Sequence, residues 1–288
     1  MKVEEEYIKH IDKLMPCPEI ALEILKIAHE DDCNINTLSR NIEKDPTLTA
    51  NMLKMANSAY FGHMKQINSV TDIIVRLGME TVKLIAITSA SAGLLKASQK
   101  AYSLRNGALW RHSYATAVLA STISRHAGAT DEPSIYTAAL LHDIGKVVLN
   151  KHLLREMCNA DEPEPGMAMV AYERSVLHTD HAKVGEALLS KWGLPESISK
   201  PVGSHHQPGK DNETLAADIV RLANILAEQM GFHSLDNTNP LAGIKEFLNE
   251  ERDWPAVPNF VDNRERIIAE FFAKYNETAT IFFDLSDQ

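Results

Sequence analysis

The sequence is short of cysteine, and the cysteines it has are scattered. Cys17, Cys33 and Cys158 are widely spaced and form no Cys-x-x-Cys pair. An odd, dispersed set of this kind builds neither a disulfide framework nor a cysteine zinc knuckle. It is typical of a reducing compartment, so we expect a cytoplasmic protein.

Long apolar runs are missing as well. The N-terminus reads Met-Lys-Val-Glu-Glu-Glu and lacks the apolar stretch of a signal peptide. No uninterrupted apolar run reaches the roughly 20 residues that a membrane-spanning helix needs. The composition, with 44% hydrophobic and 24% charged residues, is that of a globular domain. We therefore expect a soluble protein that does not contact a membrane.

Basic residues are outnumbered by acidic ones. The 29 Lys and Arg residues face 39 Asp and Glu residues, which gives a formal net charge of −10. A general nucleic-acid-binding surface needs clustered Lys and Arg, so this balance excludes such a surface. A local basic pocket remains compatible with it, because net charge describes the whole surface and not one cleft.

Strand signals are weak, whereas helix signals recur along the chain. Asp45 followed by Pro46 is typical of a helix start. Ser69 with Asp72 resembles a capping box, and Gly78 is placed to end that helix. Apolar spacing predicts further helices over residues 18–28, 81–95, 109–127, 133–144, 179–192, 213–230 and 263–275. The sequence predicts an all-α protein.

The most informative motif is His142-Asp143, within Leu-Leu-His-Asp-Ile-Gly-Lys. Burying an imidazole beside a carboxylate is costly without a partner, and a divalent metal satisfies both groups. Four more histidines flank the pair, namely His112, His181, His205 and His206. Five imidazoles and one carboxylate favour Fe, Mn, Zn or Ni over magnesium. We expect a transition-metal site for one or two ions.

Two groups of motifs occur together. The first comprises Leu-Met-Pro-Cys-Pro from residue 14, Asp-Pro-Thr-Leu from residue 45 and Met-Ala-Asn-Ser-Ala-Tyr-Phe from residue 55. The second comprises Trp-Arg-His-Ser from residue 110, His142-Asp143, His-Ala-Lys-Val-Gly from residue 181, Trp-Gly-Leu-Pro from residue 192, and His205-His206. Together they resemble the HDOD family, the bacterial HD-related output domain. The resemblance implies an HD-like helical bundle, similar to metal-dependent phosphohydrolases, with an N-terminal helical subdomain.

The resemblance and the polar segments together suggest domain boundaries. Residues 96–100 are polar and separate an N-terminal half from the histidine-bearing half. We expect an N-terminal helix over residues 1–13 and an HDOD domain over residues 14–230, with halves at 14–100 and 101–230. A C-terminal helical extension is expected over residues 231–288.

Comparison with the related cyclic-dinucleotide phosphodiesterases identifies two departures. The five histidines and Asp143 match motif positions of that class, but its last aspartate is replaced here by Asn224, which we expect to be a weak ligand. The Gly-Tyr-Pro element that follows the paired histidines is also missing, since the sequence continues Gln-Pro-Gly-Lys. The resemblance therefore does not imply hydrolysis of cyclic di-GMP.

Two functional classes remain open. The family resemblance implies a regulatory module that binds a signalling protein, whereas the HD motifs imply a metal-dependent phosphohydrolase acting on a nucleotide or another phosphoester. In an enzyme, Asp143 and Lys146 would be the catalytic candidates, with Lys146 holding a phosphate oxygen. Lys146 could equally interact with the dipole at a helix end. The missing carboxylate at Asn224 favours the regulatory module.

Overall fold

The computed structural model describes residues 3–9, 23–24, 26–27, 34–56, 67–159, 167–207, 214–233, 244–250 and 253–283. In chain order the helices are α1 (Val3–Ile8), α2 (Ile35–Glu43), α3 (Pro46–Ala56), α4 (Val70–Leu77), α5 (Met79–Leu95), α6 (Ala108–Ala127), α7 (Glu132–Leu141), α8 (Ile144–Asn159), α9 (Met169–Leu177), α10 (His181–Lys191), α11 (Glu196–Ser204), α12 (Leu215–Gln229), α13 (Ile244–Asn249) and α14 (Phe260–Phe283). Extended pairing in these residues is confined to one isolated bridge, Gln99–Leu104. The all-α prediction is confirmed.

Local capping explains where several helices begin and end. The Asp45 carboxylate accepts from the Leu48 amide at 3.1 Å, and the Ser69 hydroxyl accepts from the Asp72 amide at 3.0 Å. Gly78 ends α4 with φ of 80°, a conformation that glycine adopts without strain. These starts and stops agree with the sequence. The helix expected over residues 18–28 lies mostly outside the described residues.

One expected helix is in fact two. The apolar run over residues 133–144 predicts a continuous helix, but α7 ends at Leu141 and α8 begins at Ile144. His142 and Asp143 therefore lie at a helix junction. The reason is tertiary: α8 packs against α10, whereas α7 packs against α6 and α11, so the two helices need different directions.

The described residues fall into two units. The larger unit comprises the described parts of residues 1–16 and 94–269, and the smaller unit those of residues 17–93 and 270–288. In the larger unit, α6 is buried along nearly its whole length and packs against α7 and α12. In the smaller unit, α2, α3 and α4 pack around fully buried Leu38, Ile42, Met52 and Ile73. The domain boundaries expected from the sequence stay a prediction.

Among the described residues, no helix combines the length and the apolar character needed to cross a membrane.

Candidate metal centre

The predicted site residues converge in the core of the larger unit. Asp143 lies at the α7–α8 junction, and around it are the other residues that the sequence singled out: His112 of α6, His142 beside it, His181 at the start of α10, His205 and His206 at the end of α11, and Asn224 of α12. Five of these side chains and Asp143 are buried to 3% exposure or less, while His206 is half-buried. Their burial makes this cluster the polar centre of an apolar bundle.

The cluster divides into two subsites that share Asp143. We define subsite I as His112, His142, Asp143 and Asn224. In subsite I, His112 Nε2 lies 3.2 Å from His142 Nε2 and 2.9 Å from Asn224 Oδ1. Asp143 Oδ2 lies 3.4 Å from His142 Nε2 and 3.7 Å from His112 Nε2.

We define subsite II as Asp143, His181, His205 and His206. His181 Nε2 lies 3.0 Å from His206 Nε2 and 3.2 Å from Asp143 Oδ1. His205 Nε2 lies 3.9 Å from the same oxygen. The two oxygens of one carboxylate therefore face different subsites, Oδ2 towards subsite I and Oδ1 towards subsite II.

These spacings test whether the residues fit a metal ion. Four tetrahedral ligands held about 2.1 Å from an ion lie roughly 3.4 Å from one another. The pairs of ligand-type atoms named above lie between 2.9 and 3.9 Å apart, and the imidazole and carboxylate ligand atoms of each subsite all lie within 4.8 Å of one another. Two of these buried atoms, Asp143 Oδ1 and His205 Nε2, have no hydrogen-bond partner among the described residues. A divalent transition metal would satisfy both atoms, so the residues present fit such an ion.

Hydrogen bonds behind the rings fix their orientation. The Nδ1–H of His142 donates to the Ala139 carbonyl at 2.7 Å, and the Nδ1–H of His205 donates to the Val202 carbonyl at 2.6 Å. With the proton held on Nδ1, the Nε2 atom of each ring faces the centre. Such outer hydrogen bonds set the tautomer of metal-binding histidines.

Close backbone contact between α8 and α10 brings the two subsites together. A Cβ atom at Gly145 would collide with the backbone carbonyl of His181 and crowd the amide of Gly185. Glycine at position 145 therefore allows the start of α8 to lie directly against the start of α10. This contact sets the distance between Asp143 and His181.

Lys146 is already engaged by the site. Its Nζ donates to Asp143 Oδ2 at 2.6 Å and lies 5.7 Å from the centre of the Tyr102 ring. Burial by itself would lower the pKa of Lys146, but the Asp143 carboxylate outweighs burial and raises that pKa. Lys146 lies in the first turn of α8, where the dipole of that helix disfavours a cation, so the contact with Asp143 and not the α8 dipole stabilises it here. A role in holding a phosphate oxygen stays a prediction.

Burial keeps several of the imidazoles neutral. It lowers the pKa of His112 to about 3 and the pKa of His206 to about 2, and neighbouring imidazoles act in the same direction. Burial and the adjacent His206 also hold the pKa of His205 well below its ordinary value. Neutral imidazole is the form that binds metals, so these rings are ready to bind at neutral pH.

Asp143 and His181 favour their charged forms in spite of burial. Burial alone would raise the pKa of Asp143, but His142 and Lys146 outweigh it and hold that pKa well below its ordinary value. Burial would likewise lower the pKa of His181, yet the Glu173 carboxylate raises it above its ordinary value. The negative charge around His181 thus favours a cation at this ring, whether a proton or a metal ion.

Two site residues were missed by the sequence reasoning. Glu173 of α9 is fully buried and accepts from the Nδ1–H of His181 at 2.8 Å and from its backbone amide at 2.9 Å. Tyr102, in the short 3₁₀ turn Lys100–Tyr102, donates to Glu173 at 2.5 Å. One signal existed: Glu173 shares a helix face with Met169 and Leu177, an unusual place for a charge.

Two tryptophans of the sequence motifs, Trp110 and Trp192, are core residues. Trp110 is fully buried and Trp192 is 6% exposed. The motif residues Asn57 and Ser58 lie outside the described part of the chain.

The known proteins that are similar to this chain include one curated relative and several solved structures. A curated, uncharacterized protein of Treponema pallidum (strain Nichols) is 24% identical over 210 residues, which are 71% of this chain. The matched region is 40% of that relative, so the chain spans well under half of its length. The solved structure of an HDOD domain protein of unknown function from Geobacter sulfurreducens has a TM-score of 0.71 and 23% identity, with 97% of this chain and 96% of that chain covered. A provisionally assigned phosphohydrolase from Shewanella amazonensis SB2B has a TM-score of 0.65 and 19% identity, with 94% and 97% covered.

These structural similarities show the same helical fold. The model of the HDOD domain family matches residues 14–208, which is more than half of the 288 residues. The chain belongs to the HDOD domain family.

Proposed function

We propose that this protein is a regulatory HDOD module that holds a transition metal in its buried His–Asp cluster and acts by binding a signalling partner or a phosphoester ligand, without rapid turnover. One observation carries the proposal. Among the seven predicted ligands, Asp143 is the single carboxylate, and it is already paired with Lys146 at 2.6 Å. The position where related phosphodiesterases have another carboxylate is Asn224.

The charge balance disfavours a two-metal hydrolytic site. Two divalent ions about 4 Å apart, the spacing of two-metal enzymes, repel each other by roughly 17 kcal/mol at an effective dielectric constant of 20. Hydrolases offset this repulsion with bridging and flanking carboxylates. Here the charge of Asp143 is shared with the Lys146 ammonium, and Asn224 brings a dipole without a charge. The carboxylates of Glu173 and Glu228 lie behind His181 and Asn224, where they do not bridge two ions. One tightly bound ion is therefore favoured over two.

Burial of the cluster also favours binding over turnover. His142, Asp143 and His205 are at most 1% exposed, so a phosphodiester has little room to reach an ion beside them. His206 and Lys146 are the partly exposed members of the cluster. A ligand or partner that contacts this edge could sense the state of the metal without entering the centre.

A phosphohydrolase remains the second candidate. The observation in its favour is that Asp143 faces both subsites, as a carboxylate that bridges two ions does. If wild-type protein binds two ions and hydrolyses diesters rapidly, this second function replaces the first.

The experiment that tests the proposal is the substitution Asn224→Asp. It adds a carboxylate at nearly constant volume beside His112. Elemental analysis and turnover of bis-nitrophenyl phosphate are measured in wild type and variant after equal loading with Mn²⁺, Fe²⁺ or Zn²⁺. We expect one tight ion and negligible turnover in wild type, and a second ion in the variant.

Asn36→Asp is the matched control, because it makes the same chemical change at an exposed position in the smaller unit. The control variant should behave like wild type. Wild-type protein that takes up no metal would refute the proposal.

A further inference from the structure

The two oxygens of Asp143 are not equivalent. Oδ2, which faces subsite I, accepts the hydrogen bond from Lys146 at 2.6 Å. Oδ1, which faces subsite II, accepts no hydrogen bond from the described residues and lies 3.2 Å from His181 Nε2. An oxygen that already pairs with an ammonium group has less negative charge to offer a metal ion. The available charge of this carboxylate is therefore directed at subsite II.

The rings of subsite II are supported from behind. The Nδ1–H of His181 donates to the Glu173 carboxylate, which Tyr102 holds in place through its own hydroxyl. The Nδ1–H of His205 donates to the Val202 carbonyl. An ion bound at Nε2 leaves both of these hydrogen bonds intact. A carboxylate behind an imidazole also makes that ring a stronger ligand.

Subsite I has the opposite arrangement at His112. The Nε2–H of His112 donates to Asn224 Oδ1 at 2.9 Å, so the ring directs its proton towards the subsite. A metal at Nε2 would move that proton to Nδ1, which is buried and has no partner among the described residues. A buried donor left unpaired weakens binding by roughly ten- to a hundredfold.

The two subsites also differ in access. Among their ligands, His206 is half-buried, whereas the other residues of both subsites are buried. Since His206 belongs to subsite II, an ion arriving from solvent meets this subsite first.

We propose that the first metal ion binds in subsite II, through Asp143 Oδ1 and the Nε2 atoms of His181, His205 and His206, with Glu173 and Tyr102 as positioning residues. The assignment rests on the proposed function, because both require that the cluster bind metal. It goes further by naming the ligands of the tight ion. It also makes Asn224 and His112 ligands of a weaker, second ion.

Titration with Co²⁺ distinguishes the subsites, because its visible absorption reports the number and type of ligands. His206→Gln removes one ligand of subsite II, and His112→Gln makes the same change in subsite I. We expect His206→Gln to weaken the first equivalent at least a hundredfold and to change its spectrum. We expect His112→Gln to leave affinity and spectrum of the first equivalent unchanged. If His112→Gln does not fold by circular dichroism, Asn224→Leu tests subsite I in its place.

The positioning residues are tested separately. Glu173→Gln keeps the shape but removes the charge behind His181, and loss of such an outer partner typically weakens metal binding ten- to a hundredfold. Tyr102→Phe removes one hydrogen bond to Glu173 and should have a smaller effect in the same direction. A merely structural role would lower thermal stability without altering the Co²⁺ spectrum, and that result would overturn the positioning role.

The remaining outcomes separate this assignment from the proposed function. Wild-type protein that binds no Co²⁺ refutes both. Three results with wild-type protein that does bind Co²⁺ would refute only the assignment to subsite II. In the first, His112→Gln weakens Co²⁺ binding and His206→Gln does not. In the others, the two substitutions weaken Co²⁺ binding equally, or neither weakens it.

Discussion

Replacing Asp143 by asparagine tests whether the cluster is a metal site or a structural hydrogen-bond network. The side chain is 1% exposed, contacts imidazoles of both subsites and pairs with Lys146 at 2.6 Å. Asparagine keeps the volume and can still accept the hydrogen bond from Lys146. It removes the one anionic ligand that both subsites share. Metal binding should therefore suffer far more than folding of the metal-free protein.

The expected magnitude follows from binding linkage. At a free metal concentration 100 times the dissociation constant, a ligand that binds only the folded state stabilises it by about 2.7 kcal/mol. For a domain of 150–250 residues, 1 kcal/mol shifts Tm by about 2–4 °C, so wild type should gain roughly 5–10 °C. If Asp143→Asn weakens binding about a hundredfold, the same metal concentration stabilises by only about 0.4 kcal/mol. The shift then falls to about 1 °C.

The assay is thermal unfolding of wild type and Asp143→Asn, each with and without the same concentration of Mn²⁺ or Zn²⁺. Loss of the buried charge from the ion pair lowers Tm in both the metal-free and the metal-loaded protein. This cost therefore cancels in the difference in Tm that the metal produces. Equal loss of Tm with and without metal, at an unchanged shift, would show that Asp143 serves folding alone.

Two further substitutions test how the fold positions the cluster. Gly145→Ala should destabilise the metal-free protein by about 1–3 kcal/mol, because its Cβ collides with the His181 carbonyl and α8 must move away from α10. Urea unfolding with and without Co²⁺ measures this, and an unchanged stability and Co²⁺ affinity would contradict the close contact. Asp180→Ala should cost about 1–3 kcal/mol, because the buried Asp180 carboxylate caps α10 by accepting from the Lys183 amide at 2.9 Å and also pairs with Arg174 at 2.7 Å. Urea unfolding with and without Co²⁺ measures the stability of this variant as well. Asp180→Ala should lower the Co²⁺ affinity less than Gly145→Ala does, and a larger fall for Asp180→Ala would contradict this prediction.

Much of the helical framework could be predicted from local chemistry. The caps at Asp45 and Ser69 and the stop at Gly78 depend on neighbouring residues, so their sequence signals agree with the structure. Helices α8, α9 and α11 had no comparably clear signals. Their ends depend on packing against other helices, which a single sequence does not show.

The ligand-type residues could also be found in the sequence, but not their arrangement. The sequence by itself determined that the protein is helical and that five histidines, Asp143 and Asn224 are candidates for one site. Helical spacing does not reveal the break between α7 and α8, because that break follows from packing against different partners. The tertiary structure alone decided that Asp143 directs one oxygen to each subsite. It also decided that Lys146 donates a hydrogen bond to Oδ2, the oxygen that faces subsite I. It also placed Glu173 and Tyr102 behind His181, because residues 71 positions apart meet only when the bundle is folded.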